Sequence, residues 1–409
     1  TWVTVGGMSL GGTLACAGVA PSTAWPAQPC WWVSATSPSA ATPRPARSRV
    51  TRRVQQPNAQ SRLVTLVRDV IEEKDAGVQT RVLEQQRGGK PYRIGVLDIP
   101  SFYFNYKARR EGNSYRSVSE DTQQALRALK AQGIDGLVVD LRNNPGGSLE
   151  EVSRMLAMFI PQGPLVQIRD GNGSINVYQD QDGGAQEYTG PMVVLVNLAS
   201  ASASEIFAAA IQDYGRGLVL GSTTTGKGTA QVQMDDLAYG QATLTQRKFY
   251  RITGGSTQNK GVAPDIGFPT AVSPDETGES REFNALPWDK IASASYDKLG
   301  DFSSLLPRLK SAHEARIAKD PEFAYVMQDI KEYQEDKDKK SVSLNEAERL
   351  ADQAKQDEKA LARANERLTR LGKPTVKSLD ELPTDFEAPD EYQIEAANIT
   401  ADLARLSKG

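Results

Sequence analysis

The sequence predicts an α/β fold with a mainly parallel sheet, followed by a helical C-terminal region. Apolar, β-branched runs typical of buried strands alternate with amphipathic helical segments from Ile94 onward, which is the pattern of strands joined by crossover helices. After Pro287–Trp288 the chain becomes rich in Lys, Glu, Asp, Ala and Leu, and residues 343–372 carry the alternating charges of one long solvated helix.

Length and composition narrow the classes of function. The chain has 409 residues, enough for two or three domains, and a formal net charge of −3 with 24% charged residues. This balance predicts no general affinity for nucleic acid. No apolar run approaches the ~18 residues that a membrane span needs, and no signal peptide is visible.

Residues 1–60 differ from the rest of the chain. They contain no Asp or Glu, and their second half is an aperiodic stretch rich in Ala, Pro, Ser and Arg. Both cysteines, Cys16 and Cys30, lie here and therefore say nothing about the redox compartment. We expect this segment not to fold natively; a disordered basic arm is the alternative.

The elements that follow are predicted from apolar runs and from their Gly, Pro and Ser boundaries. The first helix begins after Ser117 or Ser119, either of which can cap it, and ends at Gly133. The predicted strands are 63–71, a hairpin at 79–89, Ile94–Tyr103, Gly136–Asn144, Met192–Asn197, Gly217–Gly221 and Gly240–Ile252. The predicted helices are Val118–Gly133, 148–160 and Glu205–Asp213.

A strand-to-helix corner at 192–213 is the centre of the sequence. Three hydroxyls, those of Ser200, Ser202 and Ser204, lie between a buried strand and a helix, where one of them can project into a cleft. Backbone N–H groups at such a corner can form an oxyanion hole. Lys227 follows 25 residues after Ser202, with a glycine on each side of it.

The residue inventory restricts the catalytic chemistry. The chain has one histidine, His313, in a charged helical stretch where a solvated surface position is expected. A Ser-His-Asp triad, a Cys-His pair and a His/Cys metal site are therefore disfavoured. Any nucleophile should be Ser or Thr, and its base should be Lys or a carboxylate.

This stretch admits two other interpretations. The string GSTTTGKG nearly fits a phosphate-binding loop, but Gly228 stands where that motif has its Mg²⁺-binding hydroxyl, and a strand-like segment follows instead of a helix. Alternatively, the small residues simply pack tightly and Lys227 is solvated.

The strings SASASEIFAAAIQDYGR, GKGTAQ, DLRNNPGGSLEE and FYRITGGSTQNKGVAPDI together resemble the C-terminal-processing, or tail-specific, serine peptidases. The resemblance covers roughly Arg62 to Leu406 and is closest to the longer proteobacterial periplasmic branch. It implies a crotonase-like Ser/Lys protease core with a mainly parallel sheet and a helical C-terminal region.

The resemblance also implies roles for individual residues. Ser202 is the nucleophile and Lys227 the general base. A lysine in water has a pKa of about 10.4 and is protonated at neutral pH, so a lysine that acts as a base must first lose its proton. Gln231 orients the lysine amine, and Asp213 matches an acidic position needed for activity. The oxyanion donors are the N–H groups of Ala203 and of the Gly146–Gly147 turn, with Glu205 as a supporting residue. No cofactor and no metal is implied.

The family's organisation predicts four regions and a biological setting. The regions are an anomalous segment at 1–60, a remnant of a PDZ-like domain with connecting strands at 61–92, the serine protease domain at 93–275 and a helical C-terminal domain at 276–409. We expect an endopeptidase that acts near apolar C-terminal tails in the periplasm, with an adaptor protein and the inner membrane as further partners. The alternative is an inactive or binding-only protein that has lost its PDZ region.

Overall fold

A computed structural model describes residues 77–105, 108–109, 111–112, 115–179, 186–234, 240–339 and 341–407, and the backbone of three strands before residue 68. Most of the anomalous segment at 1–60 and part of the PDZ-like remnant lie outside the described residues. In the described part of the chain no helix has the length and apolar character to cross a membrane.

The strands and helices have the following bounds. The strands are β1 Val3–Gly6, β2 Arg49–Gln55, β3 Ser61–Val67, β4 Gln79–Arg87, β5 Lys90–Asp98, β6 Gly136–Asp140, β7 Pro164–Asp170, β8 Ile175–Gln179, β9 Met192–Val196, β10 Leu218–Gly221, β11 Thr229–Met234, β12 Gln241–Tyr250 and β13 Ile266–Gly267. The helices are α1 Val118–Ala131, α2 Leu149–Ala157, α3 Ala203–Asp213, α4 Pro274–Thr277, α5 Leu306–Ile317, α6 Pro321–Asp336, α7 Glu346–Arg370 and α8 Glu391–Ser407.

The central sheet has six strands in the order β13-β10-β9-β6-β5-β4. Every neighbouring pair is parallel except β4 and β5, which form a hairpin. That hairpin turns at Gly88 and Gly89, which have φ values of 57° and 75° that glycine adopts without steric cost. The predicted α/β class with a mainly parallel sheet and a helical C-terminal region is therefore confirmed.

Both faces of this sheet are covered, which explains its continuous apolar strands. In β9, Val194 belongs to a core shared with α1, α2 and α3, whereas Val193 and Leu195 belong to a second core. The second core is closed by α5 and α8, so the last helix of the chain completes the protease sheet. A smaller antiparallel sheet, in the order β1-β12-β7-β8 with β11 paired to β12, lies beside the lysine loop.

The helix and strand ends follow local chemistry. Helix α1 begins after Ser117, whose hydroxyl accepts from the N–H of Glu120, so the first of the two predicted caps is the one observed. Strand β6 ends at Asp140, four residues earlier than predicted. The residues after Asp140 leave the sheet and form a turn, in which the carbonyl of Asn144 accepts hydrogen bonds from Ala201 and Ser204 on either side of Ser202.

The expectation that His313 lies on the surface is wrong. The side chain is 3% exposed, its Nδ1 lies 2.9 Å from Glu395 Oε1, and its ring stacks on Phe268 with 4.9 Å between centroids. The charged neighbours of His313 concealed that it follows the buried Leu309 by four residues, on the face of α5 that packs against α8.

Candidate active site

Ser202 occupies a strained turn between β9 and α3. Its backbone has φ 55° and ψ −111°, a conformation that costs free energy in a non-glycine residue and persists only when the surroundings enforce it. Helix α3 starts at the next residue. The corner thus has the features of a nucleophile held at a sharp strand-to-helix turn.

The three serines of the corner have different surroundings. The hydroxyl of Ser200 donates to Leu141 O at 2.8 Å, and that of Ser204 donates to Asn144 O at 2.9 Å. Both of these side chains are fully buried, whereas Ser202 is half-buried. Ser202 is therefore the serine that a substrate can reach.

Glu205 connects the serine corner to the lysine loop. Its Oε2 accepts the N–H of Ser202 at 2.8 Å and the N–H of Lys227 at 2.9 Å. Because both nitrogens contact one oxygen atom, they lie within about 6 Å of each other. Ser202 and Lys227 are 25 positions apart in the sequence, and the Glu205 carboxylate brings their backbones together by accepting both N–H groups.

The other carboxylate oxygen of Glu205 also accepts two hydrogen bonds. Oε1 accepts from Thr224 Oγ1 at 2.6 Å and from the N–H of Gly226 at 2.7 Å. The side chain is fully buried, and this burial raises the pKa of Glu205 to about 7 although four hydrogen bonds favour the carboxylate.

The raised pKa of Glu205 predicts an opposite pH dependence of stability and activity. Between about pH 4.3, where Glu ionises in the unfolded chain, and about pH 7, only the folded state keeps the proton, so the free energy of unfolding falls as pH rises, by roughly 4 kcal/mol from this group. Activity should rise over the same interval, because only the ionised carboxylate accepts all four hydrogen bonds.

Urea unfolding of the wild type and of Glu205→Gln at pH 5 and pH 8 isolates this contribution, since the variant cannot titrate at this position. We expect the difference in unfolding free energy, wild type minus variant, to be smaller at pH 8. A difference that grows with pH would contradict the assigned pKa.

Lys227 is half-buried, and Gly226 and Gly228 lie on either side of it. No hydrogen bond joins the side chains of Ser202 and Lys227 in the described structure, and catalytic contacts of this kind commonly tighten only when substrate is bound.

Gln231 does not contact the Lys227 amine, contrary to the orienting role that the resemblance implied. Its side chain is exposed, and its Nε2 donates to Thr229 Oγ1 at 3.1 Å and to Thr245 Oγ1 at 3.3 Å.

The Gly146–Gly147 turn lies directly against the serine corner. A Cβ on Gly146 would come within 2.8 Å of Ser202 Cβ and 3.0 Å of Ala203 N, so only glycine fits there. The N–H of Gly146 donates to Asn144 Oδ1 at 2.9 Å and is therefore not free for an oxyanion. Within the described residues, no hydrogen bond uses the N–H of Gly147 or of Ala203, and these two remain the candidate donors.

Asn144 is a residue of the site that was not expected from the sequence. It is fully buried, and its Nδ2 donates to Ile99 O at 2.8 Å while its Oδ1 holds Gly146. Its carbonyl accepts the N–H of Ala201 at 3.0 Å and the hydroxyl of Ser204. Asn144 thus connects the Gly146–Gly147 turn to the serine corner. Its position directly before Pro145 and the two glycines is the sequence feature that could have identified it.

Asp213 is not brought to the corner. It lies at the opposite end of α3 from Ser202, about 16 Å away for eleven residues at the rise of an α-helix. Both of its carboxylate oxygens accept from Arg251 Nε at 3.1 Å. Its contacts are those of a structural ion pair that connects α3 to the end of β12.

No cluster of three or more His, Cys, Asp or Glu side chains that could hold a metal occurs among the described residues.

Comparison with known proteins identifies relatives of both halves of the chain. Residues 93–268 match the model of peptidase family S41, and residues 272–405 match the C-terminal domain of tail specific protease. A tail-specific protease of Haemophilus influenzae is 43% identical over 354 residues, which is 84% of this chain and 48% of that protein. A chloroplastic C-terminal processing peptidase of Tetradesmus obliquus is 39% identical over 46% of this chain and 38% of that protein.

Among solved structures, a photosystem II D1 C-terminal processing protease is 29% identical, with a TM-score of 0.41 over 55% of this chain and 56% of that one. The chain spans about half the length, or less, of the curated relatives it matches.

Proposed function

Because this chain belongs to peptidase family S41 and carries the C-terminal domain of tail-specific proteases, we propose that it is a serine endopeptidase with a Ser202–Lys227 dyad. The observation that carries the proposal is the Glu205 carboxylate, which accepts the backbone N–H groups of both dyad residues on one oxygen atom. This contact brings a half-buried serine and a half-buried lysine together without any histidine.

In the proposed mechanism the neutral Lys227 amine accepts the Ser202 proton as Oγ attacks the scissile carbonyl carbon. The carbonyl oxygen becomes an oxyanion that the N–H groups of Ala203 and Gly147 stabilise. The lysine then gives its proton to the leaving amine, which yields an acyl-enzyme and a free amino terminus. Water, activated by the same lysine, hydrolyses the ester and restores Ser202.

We propose apolar C-terminal tails as the substrate class, the periplasm as the location, and an adaptor protein and the inner membrane as partners; the support is the similarity to tail-specific proteases. Two unstructured peptides with the same body, one ending in three apolar residues and one in three acidic residues, test the substrate class. We expect the apolar-tailed peptide to be cleaved about tenfold faster, the discrimination that ~1.4 kcal/mol of apolar contact supplies.

Cleavage of both peptides at equal rates would contradict the tail preference while leaving the dyad intact. Absence of cleavage together with tight binding of the apolar-tailed peptide would favour the binding-only alternative.

A further inference from the structure

The backbone on both sides of Lys227 is held by two consecutive residues of one other loop. The carbonyl of Gly226 accepts the N–H of Asn259 at 2.8 Å, and the N–H of Gly228 donates to Gln258 Oε1 at 2.8 Å. The N–H of Lys227 itself is held by Glu205. The peptide groups around the lysine are therefore fixed from two directions.

This clamp, formed by Gln258 and Asn259, is packed tightly enough to require the flanking glycines. A Cβ on Gly228 would lie 2.6 Å from Gln258 N, and a Cβ on Gly226 would lie 2.9 Å from Asn259 C. Gly226 also has a φ of 88°, a value that side chains rarely adopt. The GKG string thus reflects the close approach of a second loop as well as a tight turn.

The Gln258 amide has a defined orientation. The side chain is fully buried, and its Nε2 donates to Asn259 Oδ1 at 3.2 Å and to Glu279 Oε1 at 3.3 Å. These two acceptors turn the amide oxygen towards the N–H of Gly228, since the opposite orientation would place two donors against each other.

The region matched by the tail-specific C-terminal domain contributes to this arrangement. Glu279 supplies the acceptor for Gln258, and its own N–H donates to Thr225 O at 2.9 Å. The carbonyl of Leu286 accepts from Asn259 Nδ2 at 3.0 Å. Segment 279–286 therefore contacts both members of the clamp, and it also contacts Thr225 in the loop between β10 and Lys227.

We propose that Gln258 is a positioning residue for Lys227: its buried amide, oriented by Glu279, fixes the Gly228 peptide so that the lysine side chain is directed at Ser202. The inference rests on the proposed dyad. It assigns to the C-terminal region a part in catalysis, because Glu279 determines which way the Gln258 amide points. Losing the Gly228 contact should displace the lysine, and a displacement of about 1 Å can cost about 100-fold in rate.

Substitutions at Gln258 test this assignment, with kcat and KM for peptide cleavage and the rate of fluorophosphonate labelling measured against pH. Gln258→Met keeps the length of the side chain but leaves the Gly228 N–H without an acceptor. We expect kcat and the labelling rate to fall by about 100-fold, with KM changed by less than about twofold. Gln167→Met is the matched control, because Gln167 is a buried amide of the same domain that donates to the carbonyls of Arg251 and Ala292. It should lower Tm comparably and leave kcat within about twofold.

A donor–acceptor exchange supplies the second arm. Gln258→Glu alone sets a carboxylate against Glu279 and should lower kcat by about 30-fold or more, with the pH–rate curve displaced. Adding Glu279→Gln restores a donor opposite the acceptor and should recover kcat to within about fivefold of wild type. This arm remains informative even where Gln258→Met does not fold.

The outcomes separate this inference from the proposed function. If the wild type cleaves and Ser202→Ala does not, but Gln258→Met keeps wild-type kcat, the positioning role is wrong and the dyad stands. Equal losses of kcat in Gln258→Met and Gln167→Met, or no recovery in the exchange double variant, would also overturn it. A wild type that is not labelled by the fluorophosphonate would instead overturn the dyad.

Discussion

Replacing either Ser202 or Lys227 by alanine is expected to reduce kcat for peptide cleavage by about 10⁴-fold or more, with little change in Tm. The serine hydroxyl is a poor nucleophile unless a neighbour accepts its proton, and no histidine lies at the corner to take over. Both side chains are half-buried and project from backbone that Glu205 holds, so alanine leaves the fold intact. Because the two residues act as one unit, the double variant should lose little more than either single variant.

Ser200→Ala is the matched control for this prediction. It removes a hydroxyl from the same corner, but that hydroxyl donates to Leu141 O and lies buried. We expect it to lower Tm and to keep kcat within about tenfold of wild type. Near-normal cleavage by Ser202→Ala combined with inactive Ser200→Ala or Ser204→Ala would show that another hydroxyl is the nucleophile.

Glu205→Gln is expected to have the second largest effect, a loss of about 100-fold or more in kcat/KM together with a lowered Tm. The carboxylate has four hydrogen-bond donors around it, and an amide offers only one oxygen atom to them. Two donors would then face the new NH₂ group, which separates the serine corner from the lysine loop. A buried donor without a partner costs about 1–3 kcal/mol.

Glu187→Gln is a control for the loss of a carboxylate, since Glu187 is half-buried and pairs with Arg127 on α1, away from the corner. It should leave kcat/KM within about twofold. Activity of Glu205→Gln close to wild type would show that the dyad loops hold their positions without this carboxylate.

The sequence predicted those features of the fold that local patterns determine. Buried strands such as Met192–Val196 and the helix after Ser117 could be recognised because their periodicity and caps lie within a few residues. The register of the sheet and the closure of its second face by α8 could not, because a polar helix pattern does not show which distant strand its apolar face will cover. The same limitation produced the error at His313.

At the site, the residue types were predictable and their connections were not. An inventory with a single histidine limits the nucleophile to Ser or Thr and the base to Lys or a carboxylate, and the family resemblance implies Ser202 and Lys227 in these roles. Neither shows that the Glu205 carboxylate accepts the backbone N–H groups of both residues from two different loops. Asn144 and Gln258 were not identified because their partners Ile99, Ser204 and Gly228 lie far away in the sequence, and residue spacing does not reveal such contacts. Gly146 is expected from the resemblance to be one of the oxyanion donors, but the side chain of Asn144, two residues earlier, accepts its N–H, and the glycine pattern does not show this contact.

The most direct test of the central claim is to label the intact chain with a fluorophosphonate and to locate the adduct by peptide mass spectrometry. We expect one adduct, on Ser202, formed by the wild type and lost in Lys227→Ala, since only a serine whose proton is accepted reacts at an appreciable rate. An adduct on Ser200 or Ser204, or labelling of Ser202 that persists undiminished in Lys227→Ala, would contradict the assignment of the dyad.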